Sequence, residues 1–404
     1  MCLFDLKQII GVVLCLFSLN SFSQNKKEEK LLQQVGLTNS DILPSHSLGI
    51  FSARISQNFK YKAVEEITFN LGLASGNVWA VDIMTYTPKS QADRDYVSSI
   101  PIHDGHVINR TEIASDSFSY HADAVIRRFA PSIRVPVSKK SELQFTLRTF
   151  LVTEGNAPFS TLTSDGLIEW FHSNVKGGED PFGRKKAGVN QANIRYIDKN
   201  GKGFSFKKND FVVAGLETNY FGYASFSLPL LGEWSANMGA HMGINTTRVN
   251  PSIDLGLSQT LLKYISLNEK SFALAGLGMN LLKKNVINYG DQVELTSNDY
   301  LFSANFQAQY VRETKKGRAF ALTWNYLVHT PYNKRSEIDS NISIGEKLTS
   351  HWLLGTSHLY DLIDVQTLTF SFLKKNVLSF YLQQDFRVNN NPDFQTGVSY
   401  QFRL

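Results

Sequence analysis

The residues best equipped to do chemistry lie in two loops and on one group of strands. In the first loop, Asp165, Glu169, His172, Ser173, Glu179 and Asp180 fall close together. A serine nucleophile needs a histidine base and a polar group to orient that base. Ser173, His172 and Glu169 are the types for such a set. Neighbouring residues on an extended strand point to opposite faces, so His172 and Ser173 cooperate only on a loop or helical turn with partners from elsewhere. The simpler reading is a structured external loop or an inward plug, and no catalytic residue is assigned. In the second loop, His103, Asp104 and His106 offer two imidazoles and a carboxylate to a divalent metal, with His121 downstream. Polar loops produce such spacings by chance. That reading is preferred, and neither a metal nor another cofactor is expected. The third group is Arg127, Arg128, Arg134 and Arg148. Facing a pore, they would make a basic wall that favours anions. The preferred reading pairs them with Glu65, Glu66, Glu154 or Glu217 as a ladder of charges. Arg127 and Arg128 cannot both face inward from a regular strand. Asp165, Glu169, His172, Asp180 and Arg148 are therefore carried forward as loop or lumen residues.

The elements that must position these groups announce themselves by period. Ile67, Phe69, Leu71 and Leu73 alternate with Thr68, Asn70 and Gly72. Leu143, Phe145, Leu147, Thr149 and Leu151 alternate with Gln144, Thr146, Arg148 and Phe150. Phe302, Ala304, Phe306, Ala308 and Tyr310 alternate with Ser303, Asn305, Gln307 and Gln309; Phe320, Leu322, Trp324 and Tyr326 follow the same rule. Period two places one set on each face of a sheet. The runs extend over about 9–12 positions, the length of a tilted strand crossing a bilayer. Soluble sandwiches use shorter strands. Aromatic residues stand near the strand ends, where an interfacial girdle would need them. In lipid every backbone donor and acceptor must be paired, so a spanning sheet has to close. Short connections at 138–141, 229–232, 313–317 and 374–376 contrast with long ones at 88–121 and 154–210. That asymmetry is the one expected between periplasmic turns and external loops. Gly276 and Gly278 lack the Lys-Ser/Thr of a phosphate loop and instead suit bending or close packing within a strand.

Composition agrees and excludes alternatives. The net charge is only +5, which gives no argument for nucleic acid. The sole cysteines, Cys2 and Cys15, lie in an N-terminal stretch whose apolar run, Ile9 to Phe22, has signal-peptide length. Cleavage after Ser23 would leave a thiol-free chain suited to the oxidising periplasm. The last residues form a final strand: Phe394, Thr396, Val398, Tyr400, Phe402 and Leu404 share one face, and Gln395, Gly397, Ser399, Gln401 and Arg403 the other. Gly397, Tyr400 and Phe402 fit the terminal signal read by outer-membrane assembly machinery, although the chain runs on through Arg403-Leu404 rather than stopping at the aromatic.

Three stretches carry a resemblance. They are Asp165-Gly166-Leu167-Ile168-Glu169-Trp170-Phe171-His172, the turn Gly177-Gly178-Glu179-Asp180 leading to Asn190-Gln191, and Gln384-Asp385-Phe386 with Asn391-Pro392-Asp393-Phe394. Together they resemble an uncharacterised family of Gram-negative outer-membrane barrels, a domain-of-unknown-function type, over most of residues 46–404. The resemblance implies fold and location and no activity. The Gly-Gly-Glu-Asp turn departs from a more basic one.

The expectation is therefore a closed, antiparallel, transmembrane, all-β barrel of about 12 strands within a range of about 12–16. It comprises a signal peptide over 1–23, a periplasmic N-terminal segment over 24–45 and the barrel over 46–404. Expected partners are outer-membrane lipid, lipopolysaccharide and the assembly machinery. Three roles compete: small-solute passage or uptake, which leads; a structural or accessory role in an envelope assembly; and a lipid hydrolase centred on His172 and Ser173.

Overall fold

The computed structural model describes residues 42–99, 115–156, 162–176, 190–229, 232–314, 318–334, 337, 342–343, 359–385, 391–392 and 394–404. Residues 1–41 with both cysteines, His103, Asp104, His106, Glu179 and Asp180 lie outside them. The strands are β1 (Thr68–Pro88), β2 (Ser115–Ser138), β3 (Ser141–Thr153), β4 (Asn193–Ile197), β5 (Gly203–Lys207), β6 (Phe211–Leu228), β7 (Gly232–Thr246), β8 (Pro251–Asn268), β9 (Ser271–Asn288), β10 (Tyr300–Glu313), β11 (Ala319–His329), β12 (Ile342–Ser343), β13 (Ile363–Leu373), β14 (Val377–Gln384) and β15 (Phe394–Arg403).

Twelve of them close a barrel, because β1 pairs along one edge with β2, from Thr68 opposite Arg134, and along the other with β15, from Thr68 opposite Arg403. No edge is left in the wall, as a bilayer demands. The three remaining strands extend it. The β4–β5 hairpin continues the sheet beyond the end of β3 by pairing Asn193–Ile197 with Asp123–Ser119, and β12 adds two residues to the far end of β1. The wall begins at Thr68 and not at residue 46.

Alternation has the predicted sense. Leu257, Met238, Leu281, Phe302, Leu322, Leu368 and Phe380 are exposed on the outer face. Their neighbours Asn280, Ser303, Gln307, Thr323, Thr369 and Ser379 are buried within. Cross-strand aromatic pairs stand on the outer face, with Phe69 and Phe402 centroids 5.3 Å apart, Phe306 and Trp324 5.7 Å apart, and Phe320 and Phe372 5.2 Å apart. The rim bearing the short β2–β3 and β13–β14 turns is taken as periplasmic. A short helix, α1 (Gln91–Ser99), follows β1 at the opposite rim.

The largest apolar core lies inside the barrel. Leu43, Leu48, Ile50 and Phe51, from the segment that precedes β1, pack against Ala122, Ala124, Ile126, Phe150, Val152 and Tyr196 of the wall. A second helix, α2 (Asp165–Phe171), with the turn that follows it, belongs to the long loop after β3. Its location corrects the expectation that this loop might plug the lumen. Thr163 and Asp165 bind Ser75 and Asn77 of β1. Those two share parity with lipid-facing Leu73, opposite to lumen-facing Ala74 and Val78. The described part of the loop thus lies on the outside of the wall.

Candidate functional site

The site is the lumen, and residues 42–66 thread it. An irregular segment enclosed by a barrel has no sheet partner, so its peptide groups must be satisfied by wall side chains. The charged lumen residues do this. Arg148, buried on β3, donates from Nη1 to the carbonyls of Ile50, at 3.2 Å, and Ser52. Its Nε lies 3.2 Å from Glu217 of β6, which accepts from the Arg54 N–H at 3.0 Å. Asp254 of β8 accepts from the Ala53 N–H at 2.8 Å and from the Asn245 amide at 2.8 Å. Arg128 donates to the Ile42 carbonyl at 2.9 Å. Nearer the periplasmic rim, Glu142 collects the Lys60 ammonium, the Val64 N–H at 2.7 Å, the Tyr223 hydroxyl at 2.9 Å and Arg134 at 2.7 Å.

Shape fits as closely as charge. Between residues 53 and 59 the segment runs along a groove floored by glycines. A Cβ at Gly243 would lie 2.1 Å from Ala53 Cβ, one at Gly256 2.3 Å from Ile55, one at Gly278 2.3 Å from Gln57, and one at Gly276 2.6 Å from Phe59. Alternate residues of the segment thus sit where the wall has no side chains. Gln57 anchors the register by donating to the Gln259 carbonyl at 2.8 Å and to Thr260 Oγ1 at 2.6 Å.

The segment leaves a cavity of about 100 Å³ between itself and β9–β14. Asn280, Ser303, Asn305, Gln307, Thr323, Asn325, Thr369 and Gln383 line its wall side, and Leu43, Ile55 and Phe59 its plug side. Among the described lining residues Arg54, His329 and Tyr332 are ionisable. The Arg54 guanidinium donates to the carbonyls of Ile42 and Leu43 at 3.0 and 2.9 Å.

Above the membrane, the β4–β5 hairpin is tied to residues 291–294. Lys199 lies 2.6 Å from Glu294, and that hydrogen bond raises the Lys199 pKa above the usual lysine value. Lys202 binds Asp291, whose carboxyl is held below the ordinary aspartate value chiefly by this hydrogen bond. Asp198 Oδ2 accepts from the Glu294 N–H at 2.8 Å.

The residues singled out from sequence separate accordingly. Arg148 is a lumen group, and of the four glutamates offered as partners Glu217 pairs with it, whereas Arg134 pairs with Glu142, and Glu65, Glu66 and Glu154 lie against Lys62, Arg403 and Lys208. Arg128 faces in and Arg127 out, so the two divide between the faces. Asp165 and Glu169 are buried, but against the outer wall, and Ser173 is exposed in the turn after α2. His121 lies on the outward face of β2, across from Arg195. Gly397, Tyr400 and Phe402 occupy the closing strand, with Gly397 leaving room for the Tyr381 ring inside. Glu142, Asp254, Asn245 and Tyr223 were not singled out, because single polar residues on lumen faces look alike in sequence. The lumen-facing glycines of β7, β8 and β9 were the available signal, since their spacing marks a wall with something lying against it.

These features define a transmembrane β-barrel with an N-terminal segment seated in its lumen. No protein-family model and no curated protein matches the chain in sequence. Solved structures that align with it include an outer-membrane channel from Pseudomonas putida F1, 11% identical, covering 85% of this chain and 98% of that one at a TM-score of 0.37. The outer-membrane channel DcaP of Acinetobacter baumannii is 12% identical and covers 85% and 99%, at 0.25. The toluene transporter TodX of Pseudomonas putida is 9% identical and covers 91% and 98%, at 0.26. The barrel assignment rests instead on the pairing of β1 with both β2 and β15.

Proposed function

We propose that the protein passes small solutes across the outer membrane and that residues 42–66 gate its lumen. The observation that supports this is the cavity between the segment and β9–β14. A passage uses wall-side amide and hydroxyl groups such as these to replace the hydration of a small polar solute. The segment is held by hydrogen bonds, the Lys60–Glu142 ion pair and groove fit, and is joined to the described wall at β1, so local unfolding can release it while the sheet stays closed. The chain reaches the outer membrane by export through the periplasm.

Planar-bilayer conductance tests the reading. The Cβ of a residue at 278 would lie 2.3 Å from Gln57 Cγ, so Gln57→Cys with Gly278→Cys places two thiols within disulfide reach. Both native cysteines precede residue 16. The oxidised variant is expected to be silent, and reduction of the same protein to restore conductance. Equal conductance in both states would remove the segment from the path. Silence of parent and variant alike would favour the structural role.

A further inference from the structure

The outer face of β1 breaks the apolar band partway up the wall. Its outward residues run Phe69, Leu71 and Leu73, and then Ser75 and Asn77. At roughly 3.4 Å per residue and a tilt of about 40°, Ser75 and Asn77 stand about 18 and about 23 Å above the periplasmic start of the strand. The lipid-facing band of such barrels is about 25 Å tall, so both fall within its outer part. Opposite them β2 presents Arg127 and Val125 on the same face, with Asp123 one step farther along opposite Trp79, and β3 presents Thr153 opposite Val125. Polar wall groups at this depth would be costly to leave facing hydrocarbon.

The loop segment 162–176 covers them. Thr163 Oγ1 lies 2.9 Å from Ser75 Oγ, and Asn77 Nδ2 donates to the Thr163 carbonyl at 3.2 Å and to Asp165 Oδ1 at 2.6 Å. Asp165 also accepts from the Asn190 N–H, which holds the returning end of the loop. Ser75 and Asn77 are buried beneath it, and Asp123 and Thr153 on the same face are buried as well. The segment spends its polar groups on the wall and turns apolar ones away from it: Leu162 is 54% exposed, Trp170 57%, Phe171 45% and Val175 59%. Leu162 precedes Thr163, which binds Ser75, two residues along β1 from the lipid-facing Leu73 that pairs with Phe129 of β2.

We propose that this surface is seated in the outer leaflet, with lipid acyl chains at the headgroup boundary as its partner. Continuity with the lipid-facing wall identifies the occupant. Over β1–β3 the loop completes the hydrophobic belt that the strands leave unfinished, with Trp170 as its interfacial anchor. Deletion of the loop would place Ser75 and Asn77 in lipid.

The test uses the full chain in nanodiscs of phospholipid brominated close to the headgroup or, separately, near the acyl terminus. The chain has five tryptophans, so the Trp170 signal is read as the difference between the parent and Trp170→Phe, each shown folded by its heat-dependent gel shift. The expected result is a loss of most of that emission with the shallow bromine, less with the deep one, and little with aqueous iodide. Quenching by iodide alone would place the helix in water and overturn the proposal. Protection from both quenchers would mean that a second protein surface, such as another copy, covers it, and would overturn it equally. Should Trp170→Phe fail to fold, bimane on Val175→Cys reads the same three outcomes. Asn77→Ala, which removes the amide bound to Asp165, is expected to shift the Trp170 emission to the red and open it to iodide.

Discussion

At the scale of single residues, the lumen charges act as hydrogen-bond partners for a segment that has none of its own. Arg148 touches two plug carbonyls, Asn245 and Glu217 from full burial. Its removal leaves the Glu217 carboxylate buried without its cation, a change that costs about 3–5 kcal/mol. Arg148→Leu is therefore expected to lower the urea midpoint in detergent micelles, followed by tryptophan emission, and the double change with Glu217→Leu is expected to recover much of the loss. An Arg148→Leu midpoint equal to the parent's would show that the pair does not hold the segment. That Arg148 would meet a carboxylate was legible in sequence, because buried charges on a strand need an opposite charge; which of the four candidate glutamates it would be was not. Glu142 was not, since its four partners come from four stretches far apart in the chain.

At the scale of elements, face is the property that matters. Leu281 points to lipid from β9 and its neighbour Asn280 to the lumen, where it donates to Gln57. Leu281→Arg is expected to cost about 2–4 kcal/mol if it lies near the bilayer midplane. Asn280→Arg, whose side chain reaches the water of the cavity, is expected to cost less; the reverse order in a folding titration into lipid vesicles would mean the strand is registered on the wrong face. The β4–β5 hairpin obeys different physics. Lowering of the Asp291 pKa means its contribution is present above the ordinary carboxylate value and is lost as pH falls through the depressed one. Raising of the Lys199 pKa means its contribution is complete below the ordinary lysine value and is lost as pH climbs through the raised one. Docking of the hairpin is thus expected to be firmest between the carboxylate and lysine ranges. Hydrogen exchange of residues 193–207, corrected for intrinsic rates, checks this: protection that stays flat into acid would remove the ion pairs from the account. Both groups are largely exposed, so the effect weakens with salt.

At the scale of the whole molecule, a barrel of twelve strands encloses little more than its own side chains, and here an N-terminal segment takes a large share of that space. The wall side of what remains carries amides and hydroxyls among aliphatic side chains, and the wall cations are spent on carboxylates and carbonyls. Conduction through it is expected to discriminate weakly between cations and anions. A reversal potential near zero across a potassium chloride gradient would agree, and a strong anion preference would reinstate the basic wall that Arg128, Arg134 and Arg148 first suggested.

Sequence alone determined the class of wall. Period-two alternation over membrane-length runs, the closing strand from Phe394 to Leu404, and short turns opposite long loops are local signals, each readable within one or two strands because the sheet repeats its pattern every second residue. It also divided Arg127 from Arg128, by the same rule. Tertiary structure decided what fills the barrel and what covers it. Residues 46–66 carry apolar residues at alternate positions, among them Phe51, Ala53, Ile55 and Phe59, and so read as wall. Only the barrel's closure reveals Gly243, Gly256, Gly276 and Gly278 as the floor beneath them. The loop after β3 likewise holds a polar Asp165 and an apolar Trp170, consistent with either side of the wall. Its place outside follows from Ser75 and Asn77, two residues far away in sequence whose need for partners no local pattern expresses.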